Sequence, residues 1–140
     1  MPEYEKQAKV LHEHGKLMQV HMDGRVGVLK DLIAKTSIDI VESLHPPPMG
    51  DLLIGEALSL WKDKVVWASF PGSVVILGPE AVKRHALNLL RDVGSGDRLA
   101  IVFRELTIPN EELLMLTSVL ENADLPLTKE KIDRIERSLA

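Results

Sequence analysis

A histidine and an aspartate near the N-terminus, His21 and Asp23, are spaced so that they could act together in chemistry. The stretch "HMDGR" (21–25) places His21 and Asp23 two positions apart, so both side chains point the same way if the segment is extended. An imidazole and a carboxylate on one face can bind a metal, or the carboxylate can orient the histidine as a base. The structural alternative is a histidine hydrogen-bonded at a strand end, with Asp23 and Gly24 beginning a turn.

A second stretch, "ESLHPPPMGD" (42–51), joins polar side chains to a stiff loop. Glu42 follows an apolar run and could act as an acid, a base or a ligand. Proline lacks an amide proton and holds φ at about −65°, so three prolines in a row restrict the loop behind it. We expect Glu42 and His45 to face a pocket that this loop walls. The alternatives are a solvated glutamate before an ordinary loop and, for Asp51, a helix cap.

A third carboxylate ends the last apolar run, "LAIVF" (99–103). Arg104 and Glu105 follow it directly and point to opposite faces if the strand continues. We expect Glu105 to line the same site, and the alternative is an ordinary salt bridge.

Composition excludes several classes of protein. The chain has 140 residues, a net charge of −4 and five aromatic residues of the Phe, Trp and Tyr types, which disfavours nucleic-acid binding. It has no apolar run as long as the roughly 18 residues of a membrane span, and no cysteine, so disulfides and thiolate sites are absent. The N-terminal stretch is charged and unlike a signal peptide. A cytoplasmic location is therefore the default expectation.

Apolar runs and helical periodicity alternate along the whole chain. Strands are predicted at 16–23, 38–43, 64–70 and 98–105, with helices before, between and after them. The stretch 24–37 has helical spacing, Pro79 stands at a helix start, and Asn110 and Thr128 are candidate N-caps. Strands separated by helices pair in parallel through right-handed crossovers. The sequence thus predicts a single α/β domain over residues 1–140 with four parallel strands, whose polar carboxyl ends meet at one edge, where such folds bind ligands.

The motifs also resemble a known family. "VHMDGR", "DIVESLHPPPMGD", "KVVWASFPGSV" and "VFRE" with a later "IP" resemble the C-terminal half of the uroporphyrinogen decarboxylase-like superfamily. That superfamily includes methyltransferases that move methyl groups from cobamide proteins to thiols. Its fold is a (β/α)8 barrel, so the resemblance implies half a TIM barrel. The implied function is decarboxylase-like (a lyase) or methyltransferase-like, incomplete in a lone chain.

Roles for individual residues follow from this resemblance. It implies Glu42 and Glu105 as catalytic residues, and Arg25, His45 and Asp51 as substrate-binding residues. With these roles, the polar residues at the strand ends would line one shared pocket.

The same resemblance implies a metal site. The methyltransferase branch holds zinc with a His-x-Cys pair and a distant cysteine. His21 matches that histidine, Asp23 stands at the first cysteine position, and Glu105 stands near the second. An oxygen-rich set binds zinc more weakly than thiolates do and accepts other divalent metals.

A half barrel also predicts a partner, because its two sheet edges and its inner face are left uncovered. We expect a homodimer, or pairing with a complementary half-barrel chain encoded separately. The alternative to an enzyme is a non-catalytic small-molecule-binding or subunit protein that dimerises or pairs with a separate N-terminal half. A further alternative is a remnant that dimerises and has no chemistry.

Overall fold

A computed structural model describes residues 2–103 and 109–139 of the chain. Two compact units divide it: one comprises Met1–Ser69 and Arg98–Val102, the other Phe70–Asp97 and Phe103–Ala140. The strands are β1 (Gln19–His21), β2 (Ile40–Leu44), β3 (Val65–Ser69) and β4 (Leu99–Val102). The helices are α1 (Pro2–Glu13), α2 (Lys30–Ile33), α3 (Ile54–Leu60), α4 (Gly72–Val75), α5 (Pro79–Asp92), α6 (Asn110–Glu121) and α7 (Lys129–Ser138), and a 3-10 turn covers Gly27–Leu29.

The four strands form one parallel sheet in the order β1-β2-β3-β4. This confirms the predicted α/β class with parallel strands alternating with helices. Neighbours in the chain are also neighbours in the sheet, as they are in a (β/α)8 barrel, whereas a doubly wound sheet reverses direction midway. The sheet is therefore consistent with half a barrel.

The two faces of the sheet are buried to different extents. The Val66 face, as we call it, contains the aligned residues Val20, Val41, Val66 and Leu99. The Trp67 face contains the aligned residues His21, Glu42, Trp67 and Ala100, and alternation adds Ile40 and Val65 to it. Val41 and Val66 are fully buried, whereas Ile40, Val65 and Trp67 keep part of their surface exposed. The Val66 face is thus the better-covered side of the sheet.

The connection between β1 and β2 is less helical than its periodicity predicts. The helical spacing extends over 24–37, but a 3-10 turn precedes an α2 of only four residues. The buried Thr36 hydroxyl donates to the carbonyl of Ile33 at 2.7 Å. Threonine side chains that bond to nearby backbone compete with helical hydrogen bonds, which explains the early end of α2.

The helix α3 covers β3 and is held by a buried tryptophan that follows it. Ile54 and Ala57 are fully buried, and so is Trp61, whose indole Nε1–H donates to the carbonyl of Lys30 at 2.9 Å. This bond joins the end of α3 to the beginning of α2. An exposed ion pair between Lys30 and Glu56, 2.5 Å apart, links the same two helices.

The second unit is helical. Pro79 begins α5, as predicted, and α5 packs against α4, α6 and α7. Thr128 is confirmed as the cap of α7, because its hydroxyl accepts the amide of Lys131 at 3.3 Å. Asn110 is not the cap of α6 but its first residue, after Pro109. Within the described ranges, no helix has the length and apolar character needed to cross a membrane.

Candidate functional site at the carboxyl ends of the strands

A histidine and a buried carboxylate meet where β1 and β2 end. The register pairs His21 with Glu42, and His21 Nδ1 lies 2.6 Å from Glu42 Oε2. The Glu42 side chain is 6% exposed and that of His21 is 52% exposed. An ionised carboxylate only accepts hydrogen bonds, so with Glu42 ionised the hydrogen of this bond is on Nδ1, and a neutral ring would then have its lone pair on Nε2.

The second ring nitrogen of His21 faces another carboxylate. Its Nε2 lies 3.7 Å from Asp23 Oδ2, too far for a direct hydrogen bond, and Asp23 is 69% exposed. One imidazole therefore lies between a buried acceptor and an exposed carboxylate. His21 and Asp23 thus lie side by side, as their spacing predicted, and Nε2 of His21 faces the exposed carboxylate of Asp23.

A bulge in β2 shapes the site. The pairing shifts between Glu42 and Leu44, and Ser43 adopts a left-handed conformation with φ 66°. The Glu42 carbonyl accepts the amide of Met22 at 2.8 Å, so the pairing with β1 continues up to the bulge. The hydroxyl oxygen of Ser43 lies 3.4 Å from that of Ser69. Nothing in the local sequence predicts the bulge, because it depends on the pairing with β3.

The three residues expected to bind substrate have different surroundings. His45 Nδ1 lies 2.8 Å from the carbonyl of Ser43, so its ring is fixed by its own loop. Asp51 accepts the amide of Gly27 at 2.8 Å and thereby caps the 3-10 turn. A cap was the alternative expected for Asp51, but for α3 rather than for this turn. Arg25 lies in the loop after β1 and is exposed.

The proline-rich loop folds tightly upon itself. The amide of Gly50 donates to the carbonyl of Pro46 at 3.1 Å. A Cβ at Gly50 would lie 1.9 Å from the carbonyl oxygen of His45 and 3.0 Å from that of Gly24. Only glycine fits there, and the loop after β2 consequently lies directly against the loop after β1.

Two of the three metal ligands implied by the resemblance, His21 and Asp23, belong to the described part of the chain. Glu105 lies outside the described residues. Across residues 2–103 and 109–139, no group of three or more His, Asp or Glu side chains is arranged to hold a metal ion. The two described members of the set, His21 and Asp23, are the pair 3.7 Å apart.

No protein-family model matches this sequence, and no curated protein matches it. The resemblance to the uroporphyrinogen decarboxylase-like superfamily therefore stays a prediction from its motifs. The interpretation of the site rests on the chemistry of His21, Asp23 and Glu42.

Proposed function

We propose that this chain is a uroporphyrinogen decarboxylase-like or methyltransferase-like protein in which His21 transfers a proton or binds a divalent cation. The observation that carries the proposal is the 2.6 Å contact between His21 and the buried Glu42. Burying a carboxylate is costly unless hydrogen bonds compensate it. In parallel α/β folds, polar groups at the carboxyl ends of strands form the active site, and this pair lies at such an end.

In the proton-transfer form of the proposal, Glu42 orients the ring and His21 does the chemistry. Glu42 holds the Nδ1 proton and stabilises the imidazolium that forms when Nε2 takes up a second proton. Loss of carbon dioxide leaves an electron pair on carbon, and that carbon must then be protonated. Protonated His21 would supply this proton from Nε2, on the exposed side of the ring.

In the metal-binding form, the same nitrogen is a ligand. His21 Nε2 and Asp23 would hold a divalent metal such as zinc, and Glu42 would fix the ring from behind, as carboxylates commonly do for ligating histidines. Glu105 is the third ligand that the resemblance implies. When bound, such a metal would lower the pKa of a thiol or a water and so activate it as a nucleophile.

Replacing Glu42 tests both forms. For Glu42→Gln we expect Zn²⁺ affinity, measured by calorimetry, to fall about 10–100-fold, as for other residues that support a metal ligand. Turnover should fall by at least as much in assays of decarboxylation and of methyl transfer from methylcobalamin to a small thiol. The neutral amide cannot stabilise an imidazolium or a metal-bound histidine as a carboxylate does.

The matched control is Glu13→Gln, which changes an exposed glutamate 3.9 Å from Lys9. It should leave cation affinity and turnover unchanged. Unchanged cation binding and turnover in Glu42→Gln would contradict the proposed role of Glu42. A wild-type protein that binds neither Zn²⁺ nor Mn²⁺ and catalyses neither reaction would contradict the proposed function.

A second candidate is a non-catalytic small-molecule-binding or subunit protein, and the sheet itself favours it. In the sheet that the described residues form, β1 and β4 are edge strands. Parallel sheets are usually covered on both faces, yet the Trp67 face keeps apolar residues half-buried. An open edge and a partly exposed apolar face both favour association.

Association with a second copy would satisfy both features. A twofold axis along the barrel axis keeps all strands parallel and brings β4 of each chain beside β1 of the other. Eight strands would then close into a barrel. Such a homodimer would gather two His21–Glu42 pairs around one mouth, so the partner would contribute to the site. A complementary half-barrel chain would fill the same place.

Native mass spectrometry at micromolar concentration tests the homodimer. We expect the wild type to be dimeric and Trp67→Glu to be mostly monomeric, because a charge would then lie in the apolar interface. Val28→Glu is the control, since Val28 is 85% exposed on the 3-10 turn. A monomeric wild type, or a Trp67→Glu dimer as stable as that of the control, would contradict the homodimer.

A further inference from the structure

We propose that Ser43 is a positioning residue: its left-handed bulge lets Glu42 stay on the face that meets His21 while Leu44, two residues later, turns into the core. The chemical consequence rests on the proposed function, because the bulge would set which nitrogen of His21 is presented to a ligand. The bulge itself is a property of the chain without any ligand.

Strand geometry explains why the bulge is needed. In a regular strand, Glu42 and Leu44 would point to the same face because they are two residues apart. The pairing instead places Glu42 opposite Trp67 and Leu44 opposite Ala68, which are adjacent residues of β3. Leu44 therefore turns to the Val66 face, where it is fully buried. Because Ser43 is the extra residue in the bulge, Glu42 can lie on the Trp67 face and Leu44 on the Val66 face.

Two consecutive polar side chains reach the Trp67 face as a result. Glu42 meets His21 on β1, and Ser43 places its hydroxyl 3.4 Å from that of Ser69 on β3. Without the bulge, neighbours in sequence would point to opposite faces. The bulge thus gathers polar groups from three strands at the carboxyl end of the sheet.

The conformation of Ser43 is unfavourable for a residue with a Cβ, and glycine would adopt it more easily. Residues in sparsely populated backbone conformations cluster at functional sites and persist when the surroundings fix them. The surroundings here are specific: Ser43 is 1% exposed, its carbonyl accepts from His45, and its hydroxyl contacts Ser69. The bulge therefore sits in a buried, closely surrounded place, and it lets Glu42 and Leu44 keep their contacts on opposite faces of the sheet.

The state of the His21 ring is the readout, measured by long-range proton–nitrogen correlation NMR on ¹⁵N-labelled protein without ligand. The signals are assigned by their loss in His21→Asn. We expect wild type, Ser43→Gly and Ser69→Ala to show the Nδ1–H form, because all three can keep the bulge. We expect Ser43→Val to lose that form, since a β-branched residue resists the left-handed conformation.

Ser43→Val can fail to fold, and a second pair of variants then decides the matter. Ser43→Gly and Ser43→Ala both lack the hydroxyl and differ in how easily they adopt positive φ. A smaller Nδ1–H fraction in the alanine variant supports the proposal. Equal fractions in these two variants, or a folded Ser43→Val that keeps the Nδ1–H form, overturn it.

This test is independent of activity. A positive NMR result with no cation binding and no turnover would refute the proposed function and leave the positioning role intact. A merely structural role for Ser43 would lower stability in its variants without changing the His21 ring.

Discussion

Both ends of the parallel sheet carry a histidine paired with a carboxylate, and the two pairs differ in what else they contact. At the amino end, His12 Nε2 lies 2.7 Å from Asp39 Oδ2, and that same oxygen accepts the amide of Met18 at 2.6 Å. At the carboxyl end, His21 has one nitrogen on Glu42 and the other facing Asp23. The first pair links α1 to the residue before β2 and, through the Met18 amide, to the chain entering β1. The second presents an imidazole to solvent.

The ionisation of Asp39 reflects its structural contacts. Burial works to raise the pKa of this carboxyl, but the hydrogen bonds from His12 and from the Met18 amide outweigh it and lower the pKa. Those hydrogen bonds stabilise the charged form only in the folded chain. The amino end of the sheet therefore uses its carboxylate for stability.

A buried lysine strengthens the contrast. Lys64 has no exposed side-chain surface, and its ammonium donates to the carbonyls of Thr36 at 2.6 Å and Ile38 at 3.1 Å. It thereby joins the segment before β2 to the beginning of β3. In barrels, the amino end of the strands serves stability and the carboxyl end serves chemistry. The contacts of Asp39 and Lys64 fit the first part of that division, and the proposed role of His21 would fit the second.

The greatest loss of stability is expected for Lys64→Ala, at the amino end of the sheet. Removing the ammonium leaves two buried carbonyls without their donor and opens a cavity, so the free energy of unfolding should fall by about 3 kcal/mol. Urea titration followed by circular dichroism measures it. Lys62→Ala, at an exposed position two residues earlier, should change the unfolding free energy little. Equal losses in both variants would refute the structural role of Lys64.

An intermediate effect is expected for Asp39→Asn, with a defined pH dependence. The wild type should be more stable than the variant by about 1 kcal/mol near neutral pH, since the charged acceptor is lost. The pKa of Asp39 is lowered in the folded state, so this advantage is present above the ordinary value of 3.8 and is lost as pH falls through the lower folded value. Urea titrations of both proteins across that range check the sign, and a constant difference would contradict it.

The smallest effect on stability is expected at the carboxyl end, for the residue to which we propose a chemical role. In His21→Asn, the side-chain amide can still donate to Glu42 from the place of Nδ1–H, while Nε2 is removed. The unfolding free energy should change by roughly 0.5 kcal/mol or less, as for exposed positions. Cation binding and turnover should nevertheless be lost. A stability loss comparable with that of Lys64→Ala would break the distinction between the two ends.

Local patterns predicted the sheet well. All four strands lie at the apolar runs that predicted them, with β2 extending one residue further to Leu44. Apolar and β-branched runs carry this information locally. The helices were harder to predict from the sequence. The hydrogen bond of the Thr36 hydroxyl ends α2 early, and the short helix α4 after Pro71 was not predicted.

The site was predictable as a set of residues but not as a set of contacts. His21 and Glu42 were both expected at strand ends, yet their hydrogen bond depends on the register of β1 against β2. The left-handed Ser43 depends on β3, more than 20 residues later. Lys64 looks like a surface residue in sequence, and only the folded backbone supplies the carbonyls that bury it.

The placement of the two tryptophans determines what an optical experiment can see. The sequence has two, Trp61 and Trp67, and both belong to the first unit. Trp61 is fully buried with its indole bonded, whereas Trp67 is partly exposed on the sheet. Intrinsic tryptophan fluorescence thus reports the unfolding of the sheet-containing unit, and Trp67 alone would shift its emission if its face were covered. Unfolding of the helical unit would not be reported by a tryptophan within that unit, because both tryptophans lie in the first unit.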